Sequence, residues 1–195
     1  MIDLILFFRP PPELLRMLGI EKYFFFGKEG EGIIFSNESS TEIRRIFRKK
    51  YKKILFFGAS YKDRNKLVKI CREGLVDFVI NPPLDDVILD FIKENNIYVV
   101  LSIRKLLDDI LKKRSYPFEI IRLLKRYKIR IILSSFASRK EEMLHKNVFI
   151  SFLRFFSFKS QEIKNILNKN PMDLYERSLL RRKCVLPGIY ICGRV

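Results

Sequence analysis

With 195 residues, 48% of them hydrophobic and 18 of them Phe, the chain is long enough to bury a sizeable core and too apolar to remain disordered. Its 39 Lys and Arg against 22 Asp and Glu leave a net charge of +17, far above the magnitude of about 2–8 that serves solubility in a small domain. Such an excess repels itself unless a polyanion offsets it, which points to nucleic acid; the cations are spread over several segments rather than one amphipathic helix, which argues against a membrane surface.

The first residues, MIDLILFFRPPPE, have no basic leader and no small-residue cleavage site, so a cytoplasmic protein is expected. Residues 2–8 read as a short apolar strand. Residues 11–19 read as a helix, opened by prolines and closed by Gly19. KYFFF (22–26) and GIIFS (32–36) read as strands around a flexible KEGEG turn, with the look of a hairpin. Ser39-x-x-Glu42 is a capping box. It opens a helix with Ile43, Ile46, Phe47 and Tyr51 on one face. KILFFG (53–58) reads as a buried strand. Residues 62–73 form a helix with Leu67, Val68, Ile70 and Cys71 inward, stopped by Gly74.

VDFVIN (76–81) is the next expected strand. Leu84, Val87, Ile88, Phe91 and Ile92 give a helical stripe over 84–95. IYVVLSI (97–103) is a strand followed by about two helical turns, and Pro117 introduces a second helix with Ile120, Ile121, Leu124 and Tyr127 inward. RIILSS (130–135) is a strand, and Ser138-x-x-Glu141 a second capping box. Three helical stretches follow, about 147–157, 160–168 and 171–182, the last capped by Asn170 with Pro171 at its first position. VLPGIYICG (185–193) reads as a closing strand.

Alternating helices and nearly continuous apolar strands imply a parallel sheet covered on its faces. One domain over 1–195 is expected, an α/β fold. Six or seven units suggest a (β/α) barrel of TIM type, complete or incomplete, with extra C-terminal helices; a doubly wound open sheet is the alternative. Cys71, Cys184 and Cys192 form no CxxC pair and no zinc pattern. No phosphate-binding glycine loop and no nucleophile elbow is present. His145 reads as a surface residue. Asp85–Asp86 and Asp108–Asp109 read as caps or surface. Asp3, within a strand, needs a partner, for which Arg9 and Arg104 are candidates. The strand ends FFRP, FFGAS, VINPP, LSIRK and LSSFA supply hydroxyls, amides and arginine, groups that hold phosphate without hydrolysing it. No catalytic residue, metal ligand or cofactor site is assigned.

Positive charge concentrates in three places. Segment 41–53 has seven basic residues and one acid, the stretch 104–130 has ten and three, and Arg177, Arg181, Arg182 and Lys183 form the third group. On a helix Arg44, Arg48 and Lys52 share a face, and Arg45, Lys49 and Lys53 the adjacent ridge. The candidate RNA-binding residues are Arg44, Arg45, Arg48, Lys49, Arg104, Lys105, Lys112, Lys113, Arg114, Arg177, Arg181 and Arg182. Most Phe residues lie in strands or on inward stripes, so recognition of structured RNA by shape and backbone is expected.

IYVVLSIRKLL, a helix, Tyr127-Lys128 and IRIILSSFAS, in that order, resemble the archaeal ribonuclease P protein component 3 family. Ile103–Leu107 and Leu133–Ala137 carry its two strand-end motifs, Asn170–Leu174 through Arg177 its "P-x-x-L/I-x-x-R" segment, and LPGIYI its ending. The resemblance spans about 75–193. It implies a barrel related to PHP-type metallohydrolases without their metal site, with Ser134, Ser135 and Phe136 where a hydrolase would place ligands near a strand end. It implies a non-catalytic subunit of the ribonucleoprotein that removes 5′ leaders from precursor tRNA, its partners being the ribonuclease P RNA, which does the chemistry, ribonuclease P protein component 2 and the other holoenzyme proteins. The residues also leave open a metal-dependent PHP-like phosphoesterase or nuclease, and a nonspecific nucleic-acid coat protein.

Overall fold

The structure, a computed structural model, describes residues 1–26, 30–50, 53–186 and 189–190, with the side chains of 4–6 and 182–190 outside the description. Strands β3 (Gly32–Phe35), β4 (Phe56–Ala59), β5 (Phe78–Ile80), β6 (Tyr98–Ser102) and β7 (Ile131–Ser134) form a parallel five-stranded sheet in that order. β1 (Ile2–Leu6) and β2 (Lys22–Phe25) form a second parallel pair. The hairpin look of 22–36 is therefore misleading: β2 pairs with β1, and β3 with β4. Two backbone hydrogen bonds link segments that flank the two sheets. Glu31 N–H donates to the Phe25 carbonyl at 2.7 Å, and Phe7 N–H donates to the Ala137 carbonyl, just beyond β7, at 2.9 Å.

Parallel pairing requires crossovers. These are α1 (Pro12–Leu18), α2 (Ser40–Lys50), α3 (Arg64–Arg72), α4 (Asp86–Glu94) and, between β6 and β7, α5 (Ile103–Leu111) with α6 (Tyr116–Tyr127). Period-two alternation sends successive strand residues to opposite faces. Phe57, Val79, Val99, Leu101, Ile131 and Leu133 pack with helix residues such as Ile43, Leu67, Ile88 and Leu124. Phe56, Phe78, Tyr98, Val100 and Ile132 pack on the other face with Phe24, Phe26 and Leu174. Both faces are buried, which is why the strands read as unbroken apolar runs. In α4 the stripe is shifted from the expected one. Asp85 caps the helix by accepting from Ile88 N–H at 3.2 Å, leaving Leu84 and Val87 exposed while Ile88, Leu89 and Ile92 turn inward.

Gly58 does not end its strand but lies within β4, and a Cβ there would stand 2.3 Å from the Phe78 ring. Gly58→Ala is expected to cost about 1–3 kcal/mol through overpacking, read as a lower midpoint in chemical denaturation.

After β7 come a 3-10 turn (Lys140–Glu142), α7 (Lys146–Phe155) and one continuous helical run rather than two separate stretches: α8 (Ser160–Lys164), a π turn (Asn165–Lys169) and α9 (Asn170–Lys183). Asn170 is not a cap. Its backbone is helical, with φ −59 and ψ −43, and its Nδ2 donates to the Ile131 carbonyl at 2.7 Å. Pro171 lacks an N–H and crowds the preceding turn, and the wider π turn absorbs that conflict. The expected closing strand over 185–193 is also corrected: β8 (Cys184–Leu186) and β9 (Ile189–Tyr190) pair antiparallel in a sheet of their own, and the remainder, Cys192 included, lies outside the described residues.

Candidate nucleic-acid interface

The end of β7 is a closed polar tie. Asp3, 1% exposed, accepts from Ser134 Oγ at 2.7 Å, Ser135 Oγ at 2.5 Å and Ser135 N–H at 3.1 Å. Neither expected arginine fills this role: Arg9 lies over the Phe25 ring at 5.1 Å and Arg104 pairs with Glu142 at 2.8 Å. The two serine hydroxyls are committed to a carboxylate that needs them. Phe136, next in the chain, takes a positive φ of 54°, uncommon for an aromatic residue. Among the described residues no group of three or more His, Cys, Asp or Glu is placed to hold a metal ion. His145 is exposed and caps α7, its Nδ1 accepting from Asn147 N–H at 3.1 Å. Cys71 is buried, and burial pushes its thiol up to about 12.

The second capping box uses Glu142, not Glu141. Ser138 N–H and Oγ both donate to Glu142 Oε2 at 2.7 Å, and only a single 3-10 turn forms. The Ser138 N–H, then its hydroxyl and the Arg104 guanidinium, hold the Glu142 carboxyl down at about 2, from 4.5. A depressed carboxylate stabilises the fold above its ordinary value and loses that contribution as the pH falls toward 2. A carbon-detected NMR titration of Glu142 should therefore show a midpoint near 2, and Ser138→Ala should raise it.

The predicted cations do not converge on one surface. Arg104 follows β6 at its carboxyl end, with Lys105 over the Tyr116 ring at 5.2 Å. Arg177 and Arg181 lie at the opposite end of the sheet. Arg177 donates to the Asn96 carbonyl, ahead of β6, at 2.8 Å. Arg181 donates to the Leu55 carbonyl, ahead of β4, at 2.6 Å, and pairs with Asp77, ahead of β5. Asp77 is 4% exposed and also accepts from Phe57 N–H at 2.8 Å, while the Arg181 guanidinium lies 4.9 Å above the Phe57 ring. Several other candidates have carboxylate partners: Arg44 with Glu73 at 3.2 Å, Lys112 with Asp108 at 2.7 Å, and Arg114 with buried Asp109 at 2.8 Å. Asp109 is thus no surface acid. Arg45, Arg48 and Lys49 are exposed on α2, as is Lys113 beyond α5. Tyr51, Lys52 and the side chains of Arg182 and Lys183 lie outside the described residues.

Two features went unseen in the sequence. One is a cleft of about 360 Å³ where α6 and β7 meet the π turn, lined by Lys125, Lys128, Arg130 and Asn165 among others. The nearest sequence signal is a helix ending in lysine with arginine two residues on, at the start of a strand. The other is an apolar groove of about 470 Å³ between α5 and α7, lined by Leu107, Ile110, Val148, Phe152 and Phe155. Leu111, next to it in α5, is 82% exposed and Phe155 63%.

Fold and site together define a class: a parallel α/β protein with an excess of surface cations and, at the end of β7, a structural carboxylate–serine tie. No protein-family model matches the chain, and no curated protein matches it. Among solved structures, a chain of an archaeal ribonuclease P with mature tRNA, determined by cryo-EM, is similar with a TM-score of 0.75 and 15% identity, covering 100% of this chain and 99% of that one. The likeness shows a shared fold over the whole length. No helix among the described residues is long and apolar enough to cross a membrane.

Proposed function

We propose that the chain is a non-catalytic, RNA-binding subunit of ribonuclease P, of the protein component 3 type, with its strands arranged as a (β/α) barrel related to PHP-type metallohydrolases. It supports RNA-catalysed removal of 5′ leaders from precursor tRNA in the cytoplasm. The observation that carries this reading is the full-length likeness to a ribonuclease P chain. The net charge of +17 supports an RNA partner. The apolar face bearing Leu111 and Phe155 supports a protein partner, for which component 2 is the candidate. The exposed cations Arg45, Arg48, Lys49 and Lys113, which have no carboxylate partner among the described residues, are better placed for phosphate than Arg181, which serves the fold.

The test is reconstitution of the holoenzyme from its RNA and remaining proteins, with and without this chain, scored by leader removal from precursor tRNA. Added chain should raise the cleavage rate, and an unchanged rate would overturn the reading. Cleavage of RNA by the isolated chain with divalent metal would show a phosphoesterase instead, and equal affinity for duplex DNA and precursor tRNA a coat protein. Reversing Arg45 and Arg48 together should weaken RNA binding and flatten its salt dependence by about one slope unit per lost contact.

A further inference from the structure

We infer that the cleft between α6, the start of β7 and the π turn is a binding site for the phosphate backbone of single-stranded RNA. The inference rests on the RNA-binding part of the reading above and locates a contact within it. The cleft of about 360 Å³ and a smaller one of about 70 Å³ share Lys128, Ile129 and Arg130, so they form one groove across the amino ends of β6 and β7. Lys93 and Lys125 join Lys128 and Arg130 along it, and Glu162 is the one acid in its lining. Among the described residues, none of these four cations has a carboxylate within ion-pair distance, whereas Arg44, Arg104, Lys112, Arg114 and Arg181 each do. What sets these four apart from other unpaired cations such as Arg45 and Lys113 is that they line one groove.

Two of the four are also held in place. Arg130 donates one N–H to the Tyr98 hydroxyl at 2.8 Å and lies against that ring, centroid 5.4 Å away, leaving the rest of its donor fork for an oxyanion. Lys125 is pinned by the Phe156 carbonyl at 2.8 Å and the Phe158 ring at 3.9 Å, fixing a positive charge in the cleft wall. Lys128 stands at the left-handed end of α6, exposed, and Lys93 is exposed on the far side. Asn165 belongs to the π turn, a distortion that recurs at functional sites. The groove is open and carries charge on both sides of a shared middle, which fits successive phosphates of a strand better than one enclosed anion.

The test uses the full chain and a short, labelled single-stranded RNA, with affinity measured across a salt series. Lys93→Glu/Lys128→Glu changes two exposed side chains and leaves the core intact. It should weaken binding by at least tenfold and lower the salt slope by about 0.7 per lost contact. Arg122→Glu/Arg154→Glu, an equal charge change on exposed positions outside the groove, should do much less. Equal losses from both pairs, or none from the first, would overturn the groove while leaving RNA binding standing; a wild-type chain that does not bind the single strand would also overturn the groove, while the reconstitution assay decides the broader reading. In NMR titrations the amides of Lys128, Arg130 and Asn165 should shift with the RNA. Saturation of those shifts by inorganic phosphate alone at matching concentrations would identify a free-anion site and overturn the assignment to RNA.

Discussion

Arg181→Ala should lower the stability of the protein by about 3 kcal/mol, because it strands the Asp77 carboxylate, 4% exposed, without its cation. For a domain of this size that is a fall of roughly 6–12 °C in Tm. The same change frees the Leu55 carbonyl and removes a guanidinium from the face of Phe57. Arg181→Ala/Asp77→Asn should recover part of the loss: the asparagine still accepts from Phe57 N–H but carries no charge to strand. Differential scanning calorimetry of the two variants separates this role from one in RNA binding. A residue serving only phosphate contacts would leave Tm where it was and lower affinity instead.

The second large effect is expected at Asp3. Asp3→Ala removes the acceptor of Ser134 Oγ, Ser135 Oγ and Ser135 N–H in one step. The hydroxyls can turn to other acceptors, but a backbone N–H cannot turn, and a buried orphan donor costs about 1–3 kcal/mol. With the lost packing between β1 and the end of β7, roughly 2–4 kcal/mol is expected. Asp3→Asn should cost less, since one amide oxygen still serves Ser135 N–H and Ser134. Urea unfolding of both variants checks the order: an Asn variant as damaged as the Ala variant would show that charge, rather than acceptance, holds the two edges together.

Much of the architecture was legible in the sequence because it rests on local rules. Ser39 and Glu42 form their reciprocal cap, Glu42 Oε2 accepting from Ser39 N–H at 2.7 Å. Continuous apolar strands meant a sheet buried on both faces. The errors share a cause, which is partnership across long sequence distances. The KEGEG connection looks like a hairpin turn whether β2 pairs forward or, as it does, back to β1. Pro171 looks like a helix start because its conflict with the preceding turn is invisible until a π turn resolves it. Asp3 announces its need for a partner, but two serines 131 and 132 residues away leave no trace of that in the local pattern. Charge runs were easy to see, and the carboxylates that pair with some of their members were not. Arg181 and Arg114 read like phosphate ligands until Asp77 and Asp109 are placed beside them.

The position of α9 has a consequence for how the protein is made. Asn170, Arg177 and Arg181 fasten this helix to residues at the amino ends of β7, β6, β5 and β4, and Leu174 plugs the aromatic face behind them. On the ribosome α9 emerges after all seven parallel strands, so the aromatic face stays open while most of the polypeptide waits for its last fastener. Contacts that distant in sequence form slowly. A nascent chain stalled before residue 170 should hold an exposed, aggregation-prone aromatic surface, the kind of intermediate that chaperones capture.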